Sequence, residues 1–209
     1  LDNVAAEVST CKLCPLHRAR TRAVPGEGSP KASIMFIGEG PGFREDQSGR
    51  PFVGPAGNLL GELLAEIGLN REDVYITNVV KCRPPGNRDP EPQEIQACSG
   101  YLERQIEMIN PKVIVTLGRF SMARWFPSAR ISRIHGQARQ ADGRLIVPFF
   151  HPAAALHQPS LRRAVEEDFR KLPDFVAKVM EARSEDEPRV EQVEEEPPAP
   201  DDFQQLSLF

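Results

Sequence analysis

Four cysteines, Cys11, Cys14, Cys82 and Cys98, are the whole complement of a 209-residue chain. Cys11 and Cys14 form a C-x-x-C pair, and fifteen residues separate Cys82 from Cys98. Four thiolates hold either Zn²⁺ or an iron–sulfur cluster, and the spacing alone does not choose between them. Two disulfides would use the same count, but nothing in the chain points to an oxidising compartment. Cys98 also falls on an apolar helical face, so it reads as a core residue too. A second constellation is the run Gly38–Glu39–Gly40–Pro41–Gly42. It has neither the G-x-G-x-x-G of a dinucleotide loop nor the G-K-S/T of a P-loop. Its glycines let backbone approach a flat ligand closely. Glu39 stands at a strand end where a carboxylate can position a water. Glu45 and Asp46 have the same chemistry but read more simply as solvated charges of a turn. Asn78 lies inside a strand pattern, where Asn is disfavoured unless its amide is used. A buried carboxamide offers an acceptor and two donors, enough to read a donor–acceptor edge. His151 follows Phe149–Phe150 and precedes Pro152; a neutral imidazole there can donate to a developing oxyanion. Phe52, taken alone, reads as core.

These residues must be positioned by regular elements. Ser33–Ile37, Val74–Val80, Lys112–Leu117 and Leu145–Phe150 are short Ile-, Val- and Phe-rich runs bounded by turn residues, and they predict four strands. Leu59, Leu60, Leu63, Leu64 and Ile67 recur at helical spacing and Gly68 stops them. Pro92 opens a second helix with Ile95, Cys98, Leu102, Ile106 and Ile109 on one face. A last helix is predicted from Leu161, with Val165, Phe169, Leu172 and Val176 inward and a kink at Pro173. Strands alternating with helices imply a mostly parallel, four-stranded sheet covered on both faces, with ligands gathered at the strands' carboxyl ends. The segments that follow three of the strands, 38–42, 82–89 and 151–159, carry Glu39, Cys82 and His151 to one rim.

Charge divides the chain unevenly. Residues 181–209 carry ten acidic and two basic residues against an overall charge of −4, so the first 180 are mildly basic. That body permits a nucleic-acid partner without demanding one. No apolar run is long enough to span a membrane, and no secretory-type leader opens the chain, so a soluble cytoplasmic protein is expected. From Glu181 to Asp202, Glu, Asp and Pro dominate, predicting a disordered linker. It gives way at 203–209 to the apolar FQQLSLF, which has the look of a docking peptide.

In order and together, GEGPG at 38–42, ED at 45–46, GRPFVGPAGNLL at 49–60, ITNVVKCRPPGNRDP at 76–90 and HP at 151–152 resemble the family 4 uracil-DNA glycosylases. The likeness runs roughly from Cys11 to Phe175. It implies a three-layer α/β/α sandwich over residues 1–180 and a structural [4Fe–4S] cluster on Cys11, Cys14, Cys82 and Cys98. It also implies an activity: hydrolysis of the N-glycosidic bond of uracil in single- or double-stranded DNA, leaving an abasic site. Phe52 would stack on the flipped base. Asn78 would accept from N3–H and donate to O4, and His151 would donate to O2. Glu39 and the Gly40 backbone would line the pocket and place the attacking water. No strand cleavage is expected, and Lys81 is read as a surface or phosphate contact.

Where relatives follow HP with a Tyr-Leu-Leu-Arg type segment, this chain has Ala153–Ala154–Ala155–Leu156–His157–Gln158. That leaves Leu156 as the first candidate to wedge into the gap of the flipped base, and Glu45 or Phe43 as candidates to exclude thymine. A covalent-trapping branch of the family carries an inserted basic loop ending in His, whereas Cys82 here is followed by RPPGNRDP, so no trapping is expected. Gln205, Leu206, Leu208 and Phe209 resemble the peptide by which bacterial repair proteins bind the sliding clamp. A nucleoid-associated monomer is expected. The rival functions are a non-enzymatic, metal-stapled DNA-binding adaptor tethered to the clamp and a redox sensor built on the cluster.

Overall fold

The computed structural model describes residues 1–186, so the expected linker beyond that point and the peptide 203–209 lie outside the described residues. In chain order the elements are α1 (Asp2–Thr10), β1 (Glu27–Gly28), β2 (Ile34–Gly38), α2 (Phe43–Ser48), α3 (Pro55–Glu66), β3 (Tyr75–Asn78), α4 (Pro92–Ile109) and β4 (Val113–Leu117). There follow α5 (Arg119–Met122), α6 (Ile131–Ile134), β5 (Arg139–Ala141), β6 (Arg144–Phe149), α7 (Pro152–His157), α8 (Arg162–Arg170) and α9 (Leu172–Asp186). The last helical stretch breaks at Lys171, beside Pro173, and α9 continues past the expected boundary at Glu181.

The four predicted strands form the parallel centre of the sheet, in the order β3-β2-β4-β6. The sheet has six strands, not four: β1 adds antiparallel to β3 at one edge, and β5 to β6 at the other. Both additions are two or three residues long. Stretches that short carry no readable alternation, and only pairing with an existing edge makes them strands.

Side chains alternate between two cores. Ile34, Phe36, Val113, Val115, Val147 and Phe149 face one side, against Leu59, Leu60, Leu63 and Leu64 of α3, Ala155 of α7 and Val165 and Phe169 of α8. Met35, Ile37, Ile114 and Ile146 face the other, against Val4 and Val8 of α1 and Leu102, Ile106 and Ile109 of α4. This period-two division with both faces covered makes the three-layer sandwich. The parallel order reverses direction between β2 and β4, so the crevice at their carboxyl ends is the topological switch point where α/β sheets bind ligands.

Candidate active site

At that crevice lies an open cavity of about 400 Å³, lined among others by Glu39, Gly40, Phe52, Asn78 and His151. All five residues expected in the base pocket are therefore brought together, although up to 112 positions separate them along the chain.

Asn78 ends β3 and is 1% exposed. Its Oδ1 is buried and has no hydrogen-bond partner. An orphaned buried acceptor costs about 1–3 kcal/mol, and at a pocket wall that cost is relieved by a ligand bearing an N–H. Gly38, opposite Asn78 in the β2–β3 register, leaves the room for it: a Cβ there would overlap Asn78 Oδ1 and stand 2.6 Å from Phe52 Cζ.

Phe52 is buried, yet its ring lines the cavity and stacks on the His151 imidazole, with centroids 5.5 Å apart at 27°. It is both core and site. Its backbone has φ 52°, a left-handed conformation that costs a bulky residue of order 1–3 kcal/mol and gathers at functional sites. Glu45 of α2 faces it: one carboxylate oxygen accepts from the backbone N–H of Val53 at 2.9 Å and of Gly54 at 2.7 Å. Glu45 and Asp46 are therefore not the solvated turn charges the sequence suggested. Glu45 ties the loop after Phe52, and the buried Asp46 accepts from the Thr21 N–H at 2.8 Å.

His151 caps α7 with its Nδ1 accepting from the Ala153 N–H at 3.1 Å. Burial pushes the imidazole pKa down to about 4, against a smaller opposing pull from the Glu45 carboxylate. The ring is therefore neutral near pH 7, and with Nδ1 accepting, its proton sits on Nε2. Burial also raises the Glu39 pKa, with the Asp89 charge adding to it and Arg119 opposing.

Three further polar residues line the cavity that the sequence did not single out: Asn87, Arg88 and His157. Arg88 is held by Glu94, with contacts of 2.9 and 2.7 Å, and Glu94 is also the reciprocal partner of Glu91 in the capping box of α4. The signal was present in Glu91-x-x-Glu94 ahead of an apolar run, but nothing in it names Arg88 as partner. Leu156 stands 43% exposed on α7 and does not line the cavity. Phe43 is exposed too, its ring under the Arg83 guanidinium.

Lys81 is not at the surface. It is 1% exposed, and its ammonium donates to Thr77 Oγ1 at 2.6 Å, Gln105 Oε1 at 2.7 Å and the Asn78 carbonyl at 2.9 Å. Burial brings its pKa down to about 8. A long apolar stem with one polar tip can be buried if three acceptors meet it, and those acceptors come from β3 and α4, which only the fold assembles.

The four cysteines line a second, narrow cavity between α1, the turn after β3 and α4. Cys82 and Cys98 are buried, Cys11 and Cys14 partly so. Cys82 Sγ accepts from the Arg20 guanidinium at 3.0 Å and Cys98 Sγ from the Lys81 N–H at 3.3 Å. Burial pushes the Cys98 thiol up to about 11 and raises Cys14 and Cys82. Among the described residues no three or more His, Cys, Asp or Glu side chains are drawn together around a point that would take one metal ion. Tetrahedral zinc needs its sulfurs about 2.3 Å from a common centre; a cluster, with an iron at each corner, takes thiolates spread more widely. An all-thiol set, with N–H donors aimed at Cys82 and Cys98, suits either group by its chemistry.

A model of the uracil DNA glycosylase superfamily matches residues 25–178, and the chain belongs to that family. Within it the chain goes with the type-4 group. It is 54% identical over 185 residues to a type-4 uracil-DNA glycosylase of Sulfurisphaera tokodaii, covering 84% of each chain. To those of Archaeoglobus fulgidus and Thermotoga maritima it is 49% and 48% identical, covering 85% of this chain and 94% and 95% of theirs.

Proposed function

We infer that this chain excises uracil from DNA by hydrolysing the N-glycosidic bond, as its type-4 relatives are named for doing. The observation that carries the reading is the partnerless Asn78 Oδ1 in a pocket walled by the Phe52 ring. A uracil turned out of the helix brings an N3–H to that acceptor and a flat face to that ring. Cytosine brings no N3–H and leaves the acceptor orphaned, a mismatch of about 1–3 kcal/mol for each unsatisfied group.

In the reaction, a water attacks C1′ of the deoxyribose while the C1′–N1 bond breaks and its electron pair leaves with the base. Negative charge grows on uracil O2. His151, neutral with its proton on Nε2, donates there; one such donor is typically worth about 2.7–4 kcal/mol. Glu39, with the Gly40 backbone, positions the water and takes up its proton. The product is an abasic site and free uracil. Among the described residues no lysine lines the cavity, and Lys81 is enclosed by its three acceptors; the reaction is read as hydrolysis without a Schiff base or strand cleavage. Leu156, exposed on α7 beside this rim, fills the gap left by the flipped base.

Cys11, Cys14, Cys82 and Cys98 would hold a [4Fe–4S] cluster. Bound there, it supplies a covalent staple between the N-terminal segment and the β3–α4 connection, and no catalytic step passes through it. The catalytic body runs through α9 to Asp186, and the rest of the acidic stretch to 202 is a tether for the clamp-binding peptide 203–209, in which Gln205, Leu206, Leu208 and Phe209 make the contacts. No described helix is long and apolar enough to cross a membrane. The setting is the nucleoid, and the enzyme acts as a monomer.

The test is an end-labelled oligonucleotide with one uracil, beside cytosine and thymine controls, treated with alkali after incubation. Cleavage confined to the uracil strand is expected. Binding without base release would favour the adaptor, and cleavage of all three strands would overturn the specificity for uracil.

A further inference from the structure

Phe52 holds its ring in the pocket from a backbone conformation that a bulky residue avoids, so something must hold the backbone. Glu45 secures the residues after it. The residues before it are secured from outside the site. The Arg71 guanidinium, in the turn ahead of β3, donates to the Phe52 carbonyl at 3.1 Å and to the Pro51 carbonyl at 2.8 Å. Its second nitrogen also meets Glu27 at 2.7 Å. Glu27 in turn takes Arg50, one residue ahead of Pro51, through contacts of 2.7 and 3.3 Å.

Glu27 is one of the two residues of β1, paired with Ile76 on the outer edge of β3. Burial alone would raise its pKa, but hydrogen bonds from Arg50 and Arg71 keep it below the usual carboxylate range. It is therefore ionised and a firm anchor for both arginines near neutral pH. Gly57 completes the arrangement from α3, since a Cβ there would overlap the Phe52 carbonyl. Neither Arg71 nor Glu27 lines the cavity.

We propose that Arg71, anchored by Glu27, is a positioning residue that holds Phe52 in its left-handed conformation and so presets the ring for the base. The two-residue strand β1 has as its task the delivery of Glu27. Two carbonyls in succession facing one planar guanidinium is a geometry lysine does not reproduce. Without the brace the 50–54 loop relaxes towards ordinary φ values and the ring leaves the position in which it stacks on His151. This inference rests on the reading of Phe52 as the stacking residue.

The experiment compares wild type, Arg71→Ala, Phe52→Ala and the double variant. It measures kcat and KM on the single-uracil oligonucleotide, inhibition by free uracil, and Tm. Arg71→Ala is expected to lower kcat/KM by about ten- to hundredfold and to weaken inhibition by uracil by a similar factor. In the Phe52→Ala background the same change should cost less than about twofold, because the ring it positions is gone. Arg71→Lys should recover little. If Arg71→Ala proves unstable, Glu27→Gln, which keeps shape and removes the anchor's charge, carries the comparison. An undiminished Arg71 variant, or an equal loss with and without the ring, overturns the brace. If Phe52→Ala itself acts like wild type, it is the stacking reading that fails.

Discussion

At the scale of single residues, the chemistry turns on three groups whose hydrogen-bonding states are set by neighbours. Asn78 keeps an acceptor open because Gly38 clears the space beside it and Lys81 engages its backbone carbonyl rather than its side chain. Asn78→Ala removes the only acceptor assigned to N3–H. Its kcat/KM on uracil should fall roughly five- to 150-fold, the equivalent of about 1–3 kcal/mol, with little change in Tm. His151 is neutral because it is enclosed, and that state links to stability. Its folded pKa of about 4 lies below the ordinary 6.5, so the unfolded chain binds the proton first as pH falls. The contribution is complete above about 6.5 and is lost between there and about 4, up to about 3 kcal/mol. Melting curves from pH 7 to 4.5 should show wild type losing more stability than His151→Gln. Equal losses would mean that His151 is not held neutral.

At the scale of elements, three side chains of the site are delivered by the end of a strand or the start of a helix, while Phe52 comes from the loop ahead of α3. Glu39 follows β2, Asn78 ends β3, and His151 caps α7 directly after β6. The pocket wall at Asn87 and Arg88 depends on α4, whose buried Glu94 serves both as capping partner and as the carboxylate for Arg88. Glu94→Ala leaves the Glu91 N–H without its partner and the Arg88 guanidinium with only the Asp89 carbonyl and the Glu91 carboxylate. It should lower unfolding stability by about 1–3 kcal/mol in urea titrations and raise KM as the 83–89 segment loosens. The cysteine cavity joins α1 to the β3–α4 connection. Iron analysis of brown, freshly purified protein should return about four irons per chain if the cluster is present. Cys98→Ser should lose the colour and make residues 1–16 more open to proteolysis, since without the staple that segment is held by the packing of Val4, Val8 and Leu16 and by the Glu7–Arg104 pair.

At the scale of the whole molecule, charge separates a mildly basic body from an acidic tail that ends in an apolar peptide. A peptide at the end of a chain raises the local concentration of what it carries wherever that peptide is captured. Deleting 203–209 should abolish pull-down by a bacterial sliding clamp and leave excision on a short oligonucleotide unchanged. Pull-down that survives the deletion removes the tail from the account.

The sequence by itself determined the central strands, the helices that cover them and the converging rim, because hydrophobic periodicity and turn residues are local properties that survive without coordinates. It also marked Glu39, Asn78 and His151: Asn78 because Asn is disfavoured within a strand unless its amide is used, and the other two because they follow strands onto the converging rim. It could not determine β1 and β5, which exist only as edges to strands already formed. Nor could it place Lys81, whose burial depends on acceptors from two elements, or the role of Glu45, whose partners lie eight and nine residues away across a loop. Arg71 is the sharpest case: an exposed-looking arginine in a polar turn becomes the clamp on Phe52 only when β1 brings Glu27 alongside. Periodicity reports which face of an element is apolar. Which polar groups meet is decided by long-range packing, and only the tertiary structure brings those groups together.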